Sequence, residues 1–208
     1  MFDAMPSPRR RRLAPLFYTL AGLAALFELG VVWLMLHPNA HKDYADFYID
    51  HTTTCLNQPK AGPYVIGEVI PFASEGYGPE AADMRVCGWD GPAGDGLHSV
   101  GTTSRIRMAF APITGNGVLR IELTGVEHGI RPEHIMDLIV NGTTVETIAV
   151  GRNETRTVAV VVPASALAAE PGTLDLTFSY HDAVRVGPDD PDTRRRAIKL
   201  LSVQLTAE

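Results

Sequence analysis

Leu174-Asp175-Leu176-Thr177-Phe178-Ser179-Tyr180 alternates apolar and polar side chains without a break. A period of two marks a strand with one face in a core and the other toward water. The alternation returns at Ile106, Met108 and Phe110, and at Leu119, Ile121 and Leu123. Residues 64–70, 135–140, 145–150, 156–162 and 198–206 are further candidate strands. In the last of these Ile198 and Leu200 share one parity and Val203 and Leu205 the other, so a bulge is expected near Leu201. Asn116-Gly117 and Asn141-Gly142 signal hairpins, while Gly172, Gly187 and Pro188 punctuate other boundaries. Residues 164–169, between Pro163 and Pro171-Gly172, read as one helical turn. About eight or nine strands at this spacing predict an all-β, antiparallel, jelly-roll-like β-sandwich.

Ahead of this domain, Arg9, Arg10, Arg11 and Arg12 precede an apolar run over residues 13–36. At about 1.5 Å per residue such a run crosses a hydrocarbon layer of roughly 30 Å. The arginines are expected to stay cytoplasmic, which puts the amino terminus inside and the chain after His37 outside, in a periplasm. A cleaved secretory signal is the alternative, but its apolar region is shorter, about 7–15 residues. The stretch His37-Pro38-Asn39-Ala40 also lacks a small residue three positions before Ala40. The expected organisation is therefore a cytoplasmic tip over 1–12, a transmembrane helix over 13–36, a juxtamembrane stalk over 37–63 and a periplasmic sandwich over 64–208. Inside the span lies Glu28, whose ionised carboxylate would cost about 2.5–3.5 kcal/mol in lipid. It either takes a proton or snorkels in a span that still inserts, or pairs with a polar residue of another membrane helix.

The whole chain carries 18 basic and 24 acidic residues. Without the four arginines, Asp3 and Glu28, 14 basic and 22 acidic residues remain outside, a net charge near −8. That balance disfavours nucleic acid or an anionic lipid surface as the main partner. The only two cysteines, Cys55 and Cys87, both fall on the outer side, where oxidation is permitted. A disulfide is expected, stabilising by about 2–4 kcal/mol, with two free buried thiols as the alternative.

Motifs for chemistry are few. No G-x-S-x-G elbow, H-E-x-x-H helix, phosphate-cradling glycine loop or C-x-x-C pair occurs in the domain. Neither catalysis nor a cofactor is expected. His37, His41, Asp43 and Asp46 could share one helix face as metal ligands, but a solvated segment beyond a membrane reads the same way. Asp189, Asp190 and Asp192 offer oxygens for Ca²⁺, or form an ordinary solvated turn, and no metal site is assigned. His128, His134 and His181 read as isolated surface residues. Asn141 and Asn153 lie in N-x-T sequons.

Gly67 to Phe72 (G-E-V-I-P-F), Gly76, Gly88-Trp89, Pro92, Gly94 and Gly101, then Val140-Asn141-Gly142 and a closing Asp192-Thr193-Arg194-Arg195-Arg196-Ala197-Ile198-Lys199-Leu200, stand in a suggestive order. Together they resemble a β-sandwich accessory module of bacterial glycosyltransferases and envelope-polysaccharide proteins, over about residues 64–205. Leu97-His98 replaces the module's second aromatic, and Arg196-Ala197 stands where Leu-Gly is usual. No transferase domain is attached. The resemblance implies association with envelope glycans without glycosyl transfer.

A sugar site would need an aromatic face and a few fixed polar groups. Trp89 with Asp90 is the leading candidate and Tyr77 a second face, with a core plug as the alternative for Trp89. Asp192 and Arg194 are candidate ligand contacts, or else a structural ion pair at the start of the last strand. Two functions follow from these readings. One is a non-catalytic, inner-membrane-anchored periplasmic module that binds or positions envelope polysaccharide or assists its synthesis machinery. The other is a structural accessory subunit of an inner-membrane complex, docking through Glu28 and the sandwich surface.

Overall fold

The apolar run becomes a single helix, α1 (Pro8–Leu36), in a computed structural model that describes residues 8–36, 48–49, 60–128, 131–185 and 194–208. Its stretch Pro15–Leu36 is long and apolar enough to cross a membrane, as an anchor or as a signal sequence. Its apolar residues fall on all sides of the helix rather than in a single stripe. Pro15 is accommodated near the start of this stretch, where Thr19 Oγ1 donates to the Pro15 carbonyl at 2.5 Å. The chain divides into two units, residues 1–41 and 42–208.

The second unit is built from strands. In chain order these elements are β1 (Gly62–Pro63), β2 (Val69–Pro71), α2 (Pro79–Met84), β3 (Arg85–Cys87), β4 (Trp89–Ala93), β5 (Gly96–Ser99), β6 (Thr103–Ala109), β7 (Gly117–Gly125), β8 (Glu133–Val140) and β9 (Thr143–Gly151). They continue with β10 (Thr155–Val162), α3 (Ala164–Ala169), β11 (Thr173–Tyr180), β12 (Val184–Arg185), β13 (Arg195–Arg196) and β14 (Ile198–Ala207). One sheet has the order β1-β6-β11-β8-β9 with β3 also on β6; the other runs β10-β7-β14-β5-β4 with β2 also on β14. Apart from the short parallel β1–β6 pair, the ladders of both sheets are antiparallel. The fold is the expected β-sandwich, preceded by one apolar helix.

The period-two residues face the core. Leu174, Leu176, Phe178 and Tyr180 of β11, Ile106 and Met108 of β6, and Leu119, Ile121 and Leu123 of β7 are all buried. Asp175 breaks the pattern, since it too is buried at 8% exposure. It faces outward but lies under Arg105, whose Nη2 and Nε donate to its two oxygens at 2.5 and 3.2 Å. The parity change in the last strand is resolved as expected, by a register shift between Leu200 and Ser202. Ala164–Ala169 is the short helix α3.

Three expectations change. Residues 64–70 do not form one strand: a turn around Gly67, with φ +93°, separates β1 from β2. The first pairing begins at Gly62, two residues before the expected start of the domain. Asn116-Gly117 is no hairpin, because β6 and β7 belong to opposite sheets and the chain crosses between them there. Asn141-Gly142 is one, with φ +46° and +79° as a primed two-residue turn requires.

The Asn141 amide also clamps the structure. Its Nδ2 donates to the carbonyls of Ala166 and Thr173, both at 3.0 Å, and its Oδ1 accepts from Asp175 N at 2.7 Å. The first sequon is thus occupied by the fold itself, whereas Asn153 is exposed.

Candidate functional site

The Gly88-Trp89 pair is structural. Gly88 has φ +74°, and a Cβ there would lie 2.1 Å from the Thr103 carbonyl oxygen, so only glycine fits. The chain then turns Trp89 inward, where the residue is 5% exposed, meets Phe178 edge to face at 5.6 Å, and donates from Nε1 to the Arg105 carbonyl at 2.9 Å. A ring so enclosed offers no face to a pyranose, and Trp89 is the core plug that the sequence allowed as its alternative. Tyr77 is likewise half-buried against the core, its hydroxyl shielded from solvent.

Asp90, on the opposite face of β4, is held by basic residues. Arg196 Nη2 donates to its Oδ2 at 2.8 Å, Arg194 Nη2 stands 3.3 Å from the same oxygen, and Gly91 N donates to Oδ1 at 2.9 Å. Partial burial pushes the Asp90 pKa up, but the Arg196 hydrogen bond, the Gly91 amide and the two positive charges outweigh it and leave the pKa lowered. Arg85 Nη1 also donates to the Asp90 carbonyl at 2.9 Å. Arg194 therefore pairs with Asp90. Asp192, Cys55, Asp189, Asp190, His37, His41, Asp43 and Asp46 lie outside the described residues. Cys87 is buried on β3.

A second ionic tie fixes the same strand. Asp95, in the β4–β5 turn, stands 2.9 Å from His98 Nε2 and 2.5 Å from Lys199 Nζ. The His98 hydrogen bond, then that of Lys199, lowers its pKa to about 2. Ser99 Oγ accepts from Ala197 N and Ile198 N at 2.9 and 3.0 Å. Arg194, Arg196 and Lys199 of the closing segment are thus engaged in ties to the β4–β5 hairpin.

The polar cleft lies elsewhere, where β6 begins, β11 ends, and β12 pairs with β13. Thr102, Arg131, Tyr180, His181, Asp182, Ala183, Val184 and Arg195 line an open groove of about 450 Å³. Arg131 is carried by the segment entering β8, anchored where Arg152 N donates to the Pro132 carbonyl at 3.1 Å. Arg195 is set by its pairing with Arg185 and by Gly101 N donating to its carbonyl at 2.9 Å. His181 is oriented by Asp137, whose Oδ2 is 2.8 Å from Nε2. Asp182 Oδ1 accepts from Ile135 N at 3.2 Å and faces the buried His134 Nδ1 at 3.8 Å. That separation is beyond a hydrogen bond, and His134 is otherwise tied through Nε2 to the Val126 carbonyl at 3.1 Å.

The Arg131 and Arg195 side chains are exposed and make no hydrogen bond or ion pair among the described residues. A groove with two such donors, a threonine hydroxyl and one fixed carboxylate suits a polyhydroxylated or anionic ligand. His181 is exposed, as its sequence context suggests, but it is tied to Asp137 rather than isolated, and nothing local in the sequence marks Arg131. No spacing rule links residues brought together by the ends of different strands. A second groove, of about 330 Å³ between Phe110, Pro112, Ile113, Leu167 and Pro171, is apolar. Among the described residues no group of three His, Cys, Asp or Glu is arranged to hold a metal.

No protein-family model matches this chain, and no curated protein matches it. Solved structures similar to it include carbohydrate-binding modules. One is a family 6 carbohydrate-binding module, at 12% identity and TM-score 0.40, covering 73% of this chain and 100% of that one. Another is the module CBM36 in complex with calcium and xylotriose, at 10% identity and TM-score 0.36, covering 53% of this chain and 80% of that one. The insecticidal delta-endotoxin Cry8Ea1 from Bacillus thuringiensis is similar at 12% identity and TM-score 0.39, over 70% of this chain and 25% of that one. Such low scores decide nothing about a ligand, and the architecture stands on the strand pairing described above.

Proposed function

We propose that this chain is a non-catalytic module, anchored through α1 in the bacterial inner membrane with its amino terminus cytoplasmic. On this reading the sandwich is periplasmic, clasped by a Cys55–Cys87 disulfide, and binds or positions an envelope polysaccharide or assists the machinery that makes it. The polar groove between Thr102, Arg131, His181, Asp182 and Arg195 carries the reading. It supplies convergent hydrogen-bonding groups at the surface, whereas the described aromatic rings of the sandwich are buried or half-buried. Sugar recognition here works through fixed polar groups rather than ring stacking.

Affinity electrophoresis of the full chain in mild detergent, through gels containing polysaccharide extracted from the source envelope, tests it. Retardation that is lost in an Arg131→Ala/Arg195→Ala variant is expected. Unchanged mobility of the wild type refutes the reading.

Glu28 favours a second reading, an accessory subunit of an inner-membrane complex. It is the only acidic residue in the apolar span, and a partner helix with a hydrogen-bond donor at that depth would relieve its cost. Glu28→Leu is then expected to release the chain from proteins that copurify with it. Retention of every partner removes this reading.

A further inference from the structure

We infer that the glycan taken by the polar groove is acidic and presents a sugar carboxylate to Arg131 and Arg195. This rests on the groove being the glycan site. Two guanidiniums without a partner among the described residues line one cleft, although the outer part of the chain is acidic, with a net charge near −8. Arg105, Arg107, Arg194 and Arg196 each have a carboxylate partner, whereas Arg131 and Arg195, like the exposed Arg120 and Arg185, have none among the described residues. What sets Arg131 and Arg195 apart is that both line one groove, where their planar forks match a carboxylate in a bidentate manner. A neutral sugar offers neither guanidinium a charged partner.

The remaining polar groups set the charge of the ligand. Asp182, fixed by Ile135 N, accepts hydroxyl protons and repels a ligand of high charge density. The surrounding acidic domain does the same at longer range. A singly charged carboxylate on a hydroxylated ring satisfies both the arginines and Asp182, and a phosphate dianion meets more repulsion. Thr102 and His181 add further hydrogen-bonding positions on the same walls.

Isothermal titration of the full chain in detergent micelles with tetragalacturonate, maltotetraose and inorganic phosphate distinguishes the cases. Tetragalacturonate is expected to bind at least about tenfold more tightly than maltotetraose, to weaken with added salt, and to lose roughly tenfold in each of Arg131→Gln and Arg195→Gln. Both residues are exposed, so unchanged denaturation midpoints should accompany the loss. Equal binding of maltotetraose overturns the acidic preference and leaves the glycan reading standing. Phosphate that displaces tetragalacturonate at equal concentration overturns the carboxylate and leaves a general anion site. If neither saccharide binds, the inference falls, and the glycan reading falls with it only if extracted envelope polysaccharide also passes unretarded.

Discussion

Replacing Trp89 by alanine separates a sugar platform from a core plug. The ring is enclosed between the sheets, so truncation removes roughly 200 Å² of burial, worth at most about 5 kcal/mol by area. Measured Trp-to-Ala changes in cores cost about 3–5 kcal/mol, and here the Arg105 carbonyl also loses its donor. We expect a loss of about 4 kcal/mol, which for a domain of this size lowers the melting temperature by roughly 10 °C. The assay is urea denaturation followed by circular dichroism. Tryptophan emission can be followed in a Trp33→Phe background, since the chain has only two tryptophans. A blue-shifted indole that reddens on unfolding accords with burial. Trp89→Phe should recover most of the loss, because it keeps the edge-to-face contact with Phe178 and gives up only the indole hydrogen bond. A Trp89→Ala protein less than about 1 kcal/mol weaker than wild type, yet defective in glycan retention, would refute the reasoning.

Gly88→Ala should lose more than about 2 kcal/mol in the same denaturation assay, because the new methyl meets the Thr103 carbonyl and the backbone holds a positive φ. Gly91→Ala, which meets nothing within 4 Å, is the control and should stay within about 0.5 kcal/mol. The Asp95 pKa is lowered to about 2, so its stabilisation is full above the ordinary aspartate range near 4 and fades as pH falls toward 2. Asp95→Asn should therefore be weaker than wild type near neutral pH and converge with it at about pH 2, as read by denaturation midpoints. The gap should be small, because the Asp95 side chain is 56% exposed.

The strands that could be read in advance are those buried on one face only. β6, β7, β8, β11 and β14 alternate in sequence because water covers one side and core the other. β3, β4 and β5 carry no such alternation, since they are short and the chain passes Gly88 and Pro92 with irregular register. Helix α2 is six residues long and carries no side-chain cap to announce it. The candidate site fared differently. Trp89 and Asp90 are adjacent in sequence and point to opposite faces, so one became core and the other an ion-pair hub. Arg131, His181 and Arg195 come from separate segments, and the pairing of β8 with β11 and of β12 with β13 makes them neighbours.

By itself the sequence determined the apolar helix, the sandwich class, the Leu201 bulge and the Asn141-Gly142 hairpin. Each follows from local periodicity or from the φ that a residue tolerates, which neighbours in the chain suffice to set. Which aromatic is buried, which arginine finds a carboxylate and where a cleft opens were decided by the tertiary structure. Burial and charge pairing depend on residues distant in sequence, and the same side chain is platform or plug according to what packs across from it.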